Sequence, residues 1–425
     1  MSKVIELLRQ NSQLSGWRVN ETATKSYELF FVHKNLETVR ATDTLTTSVT
    51  VYVDHDDKKG ESSFDLSAAM GEAEIQKKID AAIQRARLVF NEPYELPDGG
   101  KLDKDLPSNI WDADSQTLGC EIADAVFAAD TVPGGSINAC EIFLYKDTVC
   151  VRNSRGIDKT QRIGRVMIEA IPTFTEGTES VELYEDYRFT EFDADKVTAE
   201  IARRMQEVRD RFQAKKPQTP MEISVLLRPA EIREMLWTLV DDLNYAAVYS
   251  HGNLHKTGDD LQENGTGDKL TVTLKAQVSG SEKSSWFDTD GASFRDTTVI
   301  ENGVVTANYG SSRFAQYLGI QAPTGNLPCM KVEAGSMTAT DMKAKPYLEC
   351  ASLSGIQVDL FNDYIGGEIR LAYYFDGEKT VPVTGISMSG KLSDVLAHMR
   401  LSRETVIEGA YEGPDLLMMP GMKVL

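Results

Sequence analysis

In this 425-residue chain the residues able to carry chemistry are few, and only one pair stands at a telling spacing. His251 and His255 are four apart, and on a helix two imidazoles at that distance share one face, as in many zinc sites. In His251-Gly-Asn-Leu-His255, however, Gly252 stands where a metallopeptidase of that spacing carries its glutamate base. Ser250, Gly252-Asn253 and Thr257-Gly258 also mark a helix that is ending. Two exposed loop histidines are the simpler reading, with His251 and His255 retained as the alternative metal ligands. His33, His55 and His398 are isolated and supply no third ligand.

Other chemistries find less support. Asp288 and Asp290 resemble the opening of a calcium loop, but the pattern stops at Gly291 without the remaining ligands, which suits a hairpin turn. There is no Gly-x-Ser-x-Gly elbow, no phosphate loop completed by Gly-Lys-Ser/Thr and no Gly-x-Gly-x-x-Gly after a strand. Cys120, Cys140, Cys150, Cys329 and Cys350 are odd in number and contain no Cys-x-x-Cys, as expected of free thiols in a reducing compartment.

The elements that must position any site show a duplication in the first half. Glu28-Leu-Phe-Phe31 is echoed by Glu141-Ile-Phe-Leu144, an offset of 113 (141 − 28). The alternating Val49, Val51 and Val53 are echoed by Val166, Ile168 and Ala170, an offset of 117 (166 − 49). Each unit then ends in an amphipathic helix. Ile75, Ile79, Ile83, Ala86 and Phe90 form one apolar stripe, and Val197, Ile201, Met205, Val208 and Phe212 form the other. Asn91–Gly100 is a Pro/Gly connector between the copies, followed by a short helix around 116–130.

After Phe212 a polar stretch with two prolines, ending at Pro220, marks a domain boundary. This divides the chain into residues 1–215, an α+β domain with repeats at about 20–90 and 138–212, and residues 221–425, a β-rich domain. In the latter a strand at 222–227 leads through Pro229 into a helix over 230–249 with Ile232, Leu236, Leu239, Val240 and Leu243 inward. Short alternating runs follow, with hairpin turns at Glu301-Asn302-Gly303 and Asp376-Gly377-Glu378. The fold class expected is α+β: duplicated strands-plus-helix units, then a mainly antiparallel sheet or open barrel with a packed helix.

Composition narrows the function classes. The 45 basic and 65 acidic residues give a formal net charge of −20, which disfavours nucleic acid as a direct partner. Arg203, Arg204, Arg209 and Arg211 alternate with acids on what reads as a solvated helix face. No stretch approaches the ~20 apolar residues of a membrane span. The N-terminal Met1–Leu14 reads as an amphipathic helix, not a secretory signal, so the cytoplasm is the expected location.

Several segments together resemble the TldD/PmbA family. Phe287-Asp-Thr-Asp-Gly-Ala-Ser-Phe-Arg-Asp-Thr-Thr-Val-Ile-Glu-Asn-Gly303 matches the family's Asp/Gly turn, strand and Ile-Glu-Asn-Gly. Arg313, Leu318-Gly319 and Thr324-Gly325-Asn326 continue the pattern, and Gly385-Ile-Ser-Met-Ser-Gly390 followed by Lys391-Leu392 matches its Gly-x-x-x-x-Gly-x-Leu. Asn153-Ser154-Arg155-Gly156 and the 91–97 connector also fit. The resemblance implies binding residues Asp288, Gly291, Glu301, Asn302, Gly303, Thr324, Gly325, Asn326, Gly385 and Gly390.

TldD-type members are zinc metalloproteases with a helical His-Glu-x-x-x-His and a C-terminal cysteine. In one register of this chain the first His, the Glu and the second His fall on Asp242, Leu243 and Ala247. In the other they fall on Leu243, Asn244 and Val248, and no cysteine follows Cys350. The resemblance therefore implies a degenerate site at Asp242, Leu243 and Ala247, no zinc on this chain, and a PmbA/TldE-like role. The partner implied is a TldD-type zinc protease subunit or a second copy of the chain. Unfolded or small peptides are the implied substrate, held in extended form along the edges of the second domain's sheet. A stand-alone metallopeptidase with a rearranged site, or a homodimeric scaffold under the family's label of modulator of DNA gyrase, are the alternatives.

Overall fold

The computed structural model describes residues 2–425. Its first repeat runs helix Ser2–Gln10, strands Gly16–Val32, Asn35–His55 and Lys58–Leu66, then helix Glu72–Ala86. Its second runs helix Ser115–Ala128, strands Gly135–Asn153 and Asp158–Glu176, short strands Glu179–Glu182 and Glu185–Phe189, then helix Ala194–Gln213. The unit thus includes a leading helix as well as the trailing one.

The two copies join in one eight-stranded sheet through antiparallel pairing of Gly16–Val32 with Gly135–Asn153. Leu29 pairs with Ile142, its own counterpart at the offset of 113, so an approximate two-fold axis crosses the sheet at that pair. Val49, Val51 and Val53 are buried with Ile75, Ile79, Ala82, Ile83 and Ala86 of the trailing helix. Val166, Ile168 and Ala170 pack in the same way with Val197, Ile201 and Met205. Each valine, isoleucine or methionine among them, fully withdrawn from water, contributes about 1.5–3 kcal/mol. The first stripe is shorter than its spacing implies. The helix ends at Ala86, and Phe90 is exposed, with its ring T-shaped to that of His55.

Beyond residue 220 the order of strands closes a ring. Tyr347–Asp359 pairs with Met221–Leu227, which pairs with Leu417–Val424, then Ile386–Gly390, then Tyr364–Phe375, which returns to Tyr347–Asp359. This is a five-stranded barrel, mainly antiparallel and closed. A second sheet of six strands lies beside it, and helix Pro229–Asp241 buries Ile232, Met235, Leu236, Leu239 and Val240 in their common core. The Asn302-Gly303 turn takes the positive φ that its residues favour, 51° and 87°. A closed ring leaves few strand edges, so the sheet-edge seat for a peptide finds little free edge in the barrel itself.

The expected solvated face of Ala194–Gln213 is instead an ion network tying the two halves together. Arg203 and Arg204 both reach Glu207, which also accepts from Arg228 at 2.6 Å, and Arg228 continues to Glu349 at 3.1 Å. Arg204 also pairs with Glu185. Burial alone would raise the Glu207 carboxyl, but Arg228, Arg203 and Arg204 outweigh it and hold it below the usual range. Four cysteines are buried and Cys120 is exposed, all as free thiols, and burial pushes the Cys140 thiol up to about 12. Among the described residues no helix is long and apolar enough to cross a membrane.

Candidate functional site

The segment aligned with a zinc motif is not one helix. Pro229–Asp241 stops, and a separate turn of helix, Tyr245–Tyr249, restarts after Asn244, whose side-chain oxygen caps Ala246 N–H at 2.9 Å. The expected helix over 230–249 is therefore interrupted by a cap that the apolar spacing concealed.

Asp242 is buried, and its carboxylate accepts the backbone N–H groups of Leu254 at 2.6 Å and His255 at 2.8 Å. It also lies 3.0 Å from His255 Nδ1. Leu243 sits in the hydrophobic core, and Ala247 offers only its carbonyl, which accepts from Gly252 N–H. Val248, of the second register, offers nothing a metal would take. His251 lies outside the helix at a φ of 57°, so helical spacing does not relate it to His255. Among the described residues no three His, Cys, Asp or Glu side chains converge as a metal ion requires. The residues at the motif positions thus do not fit zinc: one carboxylate engaged by the backbone, one leucine and one alanine provide no open tetrahedral set.

Of the ten binding residues that the resemblance implies, Asp288 and Gly291 stand where the two halves meet. Asp288 folds its own turn, with Oδ1 accepting the N–H groups of Asp290 and Ala292 at 2.9 Å each. Gly291, at a φ of 82°, lets the turn press on the first sheet, since a Cβ there would lie 2.7 Å from Ile157 Cγ2. Arg18 pairs with Asp290, and Asn20 Nδ2 donates to Thr289 O at 2.8 Å. Asp288 Oδ2, Arg18 Nε and Asn20 Oδ1 are nevertheless buried without a protein partner. Burial pushes the Asp288 carboxyl up to about 6, against the pull of Ala292 N–H, Arg18 and Lys159.

Beside this turn a cleft of about 730 Å³ opens between the halves. The 93–99 connector and Arg155 form one wall, and Gly291–Ser293 with Ser312, Gln316 and Gly319 form the other. Asn153 holds the connector through Nδ2 to Pro97 O at 2.7 Å. Gln316 grips Glu95 twice, accepting its N–H and donating to its carbonyl, both at 2.8 Å. Arg313 reaches Glu61 at 2.9 Å, and Tyr94 donates to the same carboxylate at 2.8 Å. Lys159, nearly buried on the cleft floor, donates to Ser293 Oγ at 2.9 Å, and burial lowers its pKa.

Thr324-Gly325-Asn326 stands behind that wall. Thr324 Oγ1 accepts Gly310 N–H at 3.0 Å, and Asn326 lies 3.4 Å from Asn244 Nδ2, so the motif braces the helix restart. Glu301, Asn302 and Gly303 form a hairpin against Gln262, remote from the cleft lining. Gly385 and Gly390 bracket the barrel strand Ile386–Gly390, with Gly390 crowded by Met422. Gly385 to Lys391 has the spacing of a phosphate loop, but its amides lie in an extended strand.

Sequence reasoning missed Arg18, Lys159, Gln161 and Gln316 as junction residues. A signal existed: Lys159 and Gln161 are polar residues at alternate positions of a strand, where an inward face calls for apolar ones. Gln161 meets Trp286 N–H at 2.8 Å across the junction.

A duplicated half-open sheet joined to a five-stranded barrel defines the structural class. The PmbA/TldA metallopeptidase C-terminal domain matches residues 220–424. The second half of the chain is thus a domain of the TldD/PmbA family, which is metallopeptidase-related. The fold of the whole chain is that of TldE from Thermococcus kodakarensis, at 14% identity and a TM-score of 0.80 over 99% of each chain. A protein from Bacteroides thetaiotaomicron described as a modulator of DNA gyrase superposes at 0.83 with 15% identity, covering 100% of this chain and 97% of that one. Another of that description from Thermotoga maritima gives 0.79 and 13%, covering 100% and 99%. No curated protein matches the sequence.

Proposed function

We propose that this chain is a non-catalytic, TldE/PmbA-like subunit of a TldD-type zinc metalloprotease complex that handles unfolded or small peptides. The observation that carries the reading is Asp242. At the first position of the zinc motif stands a buried carboxylate whose oxygens hold two backbone N–H groups of the 254–255 loop. Where the resemblance puts a ligand this chain has a structural anchor, with a core leucine beside it and an alanine at the remaining position.

The role left to such a chain is to complete and shape a peptide-binding space around a catalytic partner's zinc. The inter-half cleft, with its main-chain grip on Glu95 and unpartnered polar atoms beside it, is the surface offered for that role. The test is co-expression with a TldD-type chain bearing an intact His-Glu-x-x-x-His, followed by co-purification and digestion of a disordered peptide. Joint elution and cleavage only with both chains is the expected result. Cleavage by this chain alone, abolished by His255→Ala, would replace the proposal with the stand-alone peptidase.

A further inference from the structure

Strand Asp158–Glu176 turns two polar side chains toward the second half, and the junction satisfies them to different degrees. Gln161 is fully engaged there: Oε1 accepts Trp286 N–H at 2.8 Å, and Nε2 donates to Ser285 Oγ at 3.0 Å. Lys159 is only 8% exposed, and its ammonium has three N–H bonds to place. One goes to Ser293 Oγ at 2.9 Å. Among the described residues no carboxylate stands within ion-pair distance of it, and Asp288 acts on it only from farther away. A buried cation with two unplaced donors is unfavourable, and burial accordingly lowers its pKa.

The same side chain lines the cleft between the halves. Arg155, the other cation of that lining, is already paired with Glu95 and Asp98 of the connector. Lys159 is therefore the one unneutralised cation among the described residues of the cleft. The two walls are joined at Gln316 with Glu95 and at Ser293 with Lys159. The volume of about 730 Å³ falls within the roughly 300–1,000 Å³ of small-molecule sites, and Leu96, Ile157 and Ile320 add apolar surface to it.

We propose that Lys159 anchors a carboxylate-binding site on the cleft floor, and that the site takes the C-terminal carboxylate of a short peptide. The choice of a peptide rests on the reading of this chain as a peptide-handling subunit, whereas the choice of a carboxylate rests on Lys159. Two free N–H bonds of one ammonium suit the two oxygens of a singly charged carboxylate. A phosphate dianion calls for a second free cation, which the lining lacks, and Asp288 repels the more highly charged ion more strongly. A carboxylate at the tip of a chain needs room for peptide on one side only. A side-chain carboxylate in mid-chain needs room on both, in a cleft whose walls are joined at two points.

The experiment titrates the full chain alone, by calorimetry, with N-acetyl-trialanine bearing a free carboxylate and with the same peptide as its C-terminal amide. Inorganic phosphate and an N-acetyl tripeptide amide with a central glutamate are the two further probes. The free acid is expected to bind at least about tenfold more tightly than the amide, the discrimination expected of one charge-assisted hydrogen bond. Lys159→Met is expected to erase that difference, and the comparison of acid with amide on the wild-type chain stands even if the variant does not fold. Equal binding of acid and amide, binding of neither, or a preference that survives in folded Lys159→Met overturns the inference. Tighter binding of the glutamate-bearing amide, or of phosphate, overturns it as well, by giving the ammonium to a different anion. The subunit reading is tested separately, by co-purification and cleavage with a TldD-type chain, and can fail while binding of the free acid stands.

Discussion

Two buried aspartates, Asp242 at the end of a core helix and Asp288 at the junction between the halves, are built differently. Asp242 has both oxygens engaged, holding the 254–255 loop to the end of a core helix. Asp288 shapes its turn with one oxygen and leaves the other buried and unpartnered, near an orphaned Arg18 Nε and Asn20 Oδ1. Buried polar atoms without partners are costly, and they persist where water or a ligand completes them. The unsatisfied polar atoms thus lie at the junction between the halves and not at the helix end.

The most severe way to break the contrast is Asp242→Ala. It removes the charged acceptor of two backbone N–H groups, so a loss of about 3 kcal/mol in denaturant unfolding is expected, with faster amide exchange over 250–258. Asp242→His should be similarly destabilising and should not create a zinc site, as metal analysis would show. A variant of wild-type stability would remove the anchor role.

Asp288 should instead reveal itself through pH. Its folded pKa of about 6 lies above the unfolded value of about 3.9, so the folded state binds more protons between them. This stabilisation is fully present below pH ~4 and is lost as pH rises through ~6, a change of up to about 3 kcal/mol. Glu185 and Glu231, both pushed by burial to about 7, tilt stability the same way. The Asp288 share is the difference between wild type and Asp288→Asn, whose stability curve should be flatter between pH 4 and 6.

Gly291→Ala joins a positive φ to a clash with Ile157, and should cost about 2 kcal/mol while loosening the turn from the first sheet. Arg155→Ala sharpens the comparison from its weak end. Its partners Glu95 and Asp98 are mostly exposed, so thermal stability should hardly move, by less than about 1 kcal/mol. Peptide binding or cleavage by the co-expressed pair should fall if the cleft wall takes part.

The duplication was legible because strand alternation and helical stripes repeat at nearly constant offsets, and both copies use them to build equivalent cores. The helix restart at Asn244 was not, because Leu239, Val240 and Leu243 keep an apolar rhythm across a break made by one capping side chain. The strand Lys101–Asp105 was missed for a different reason. Its five residues are mostly charged, and only its partner strand makes it extended. At the candidate site, the loss of zinc-ligand types at 242–248 could be read from letters alone. The junction could not, since Arg18 and Lys159 meet the segments that carry Asp288 and Gln316 only when the first sheet is pressed against loops of the second half, far away in sequence.

That pressing has a mechanical consequence. The halves are stitched at the cleft by Gln316 and Arg313, and again through the arginine network that joins Glu207 to Glu349. Fastened at two places, the halves are held by more than one seam. Any movement of one half against the other has to break both seams, which a single hinge does not do.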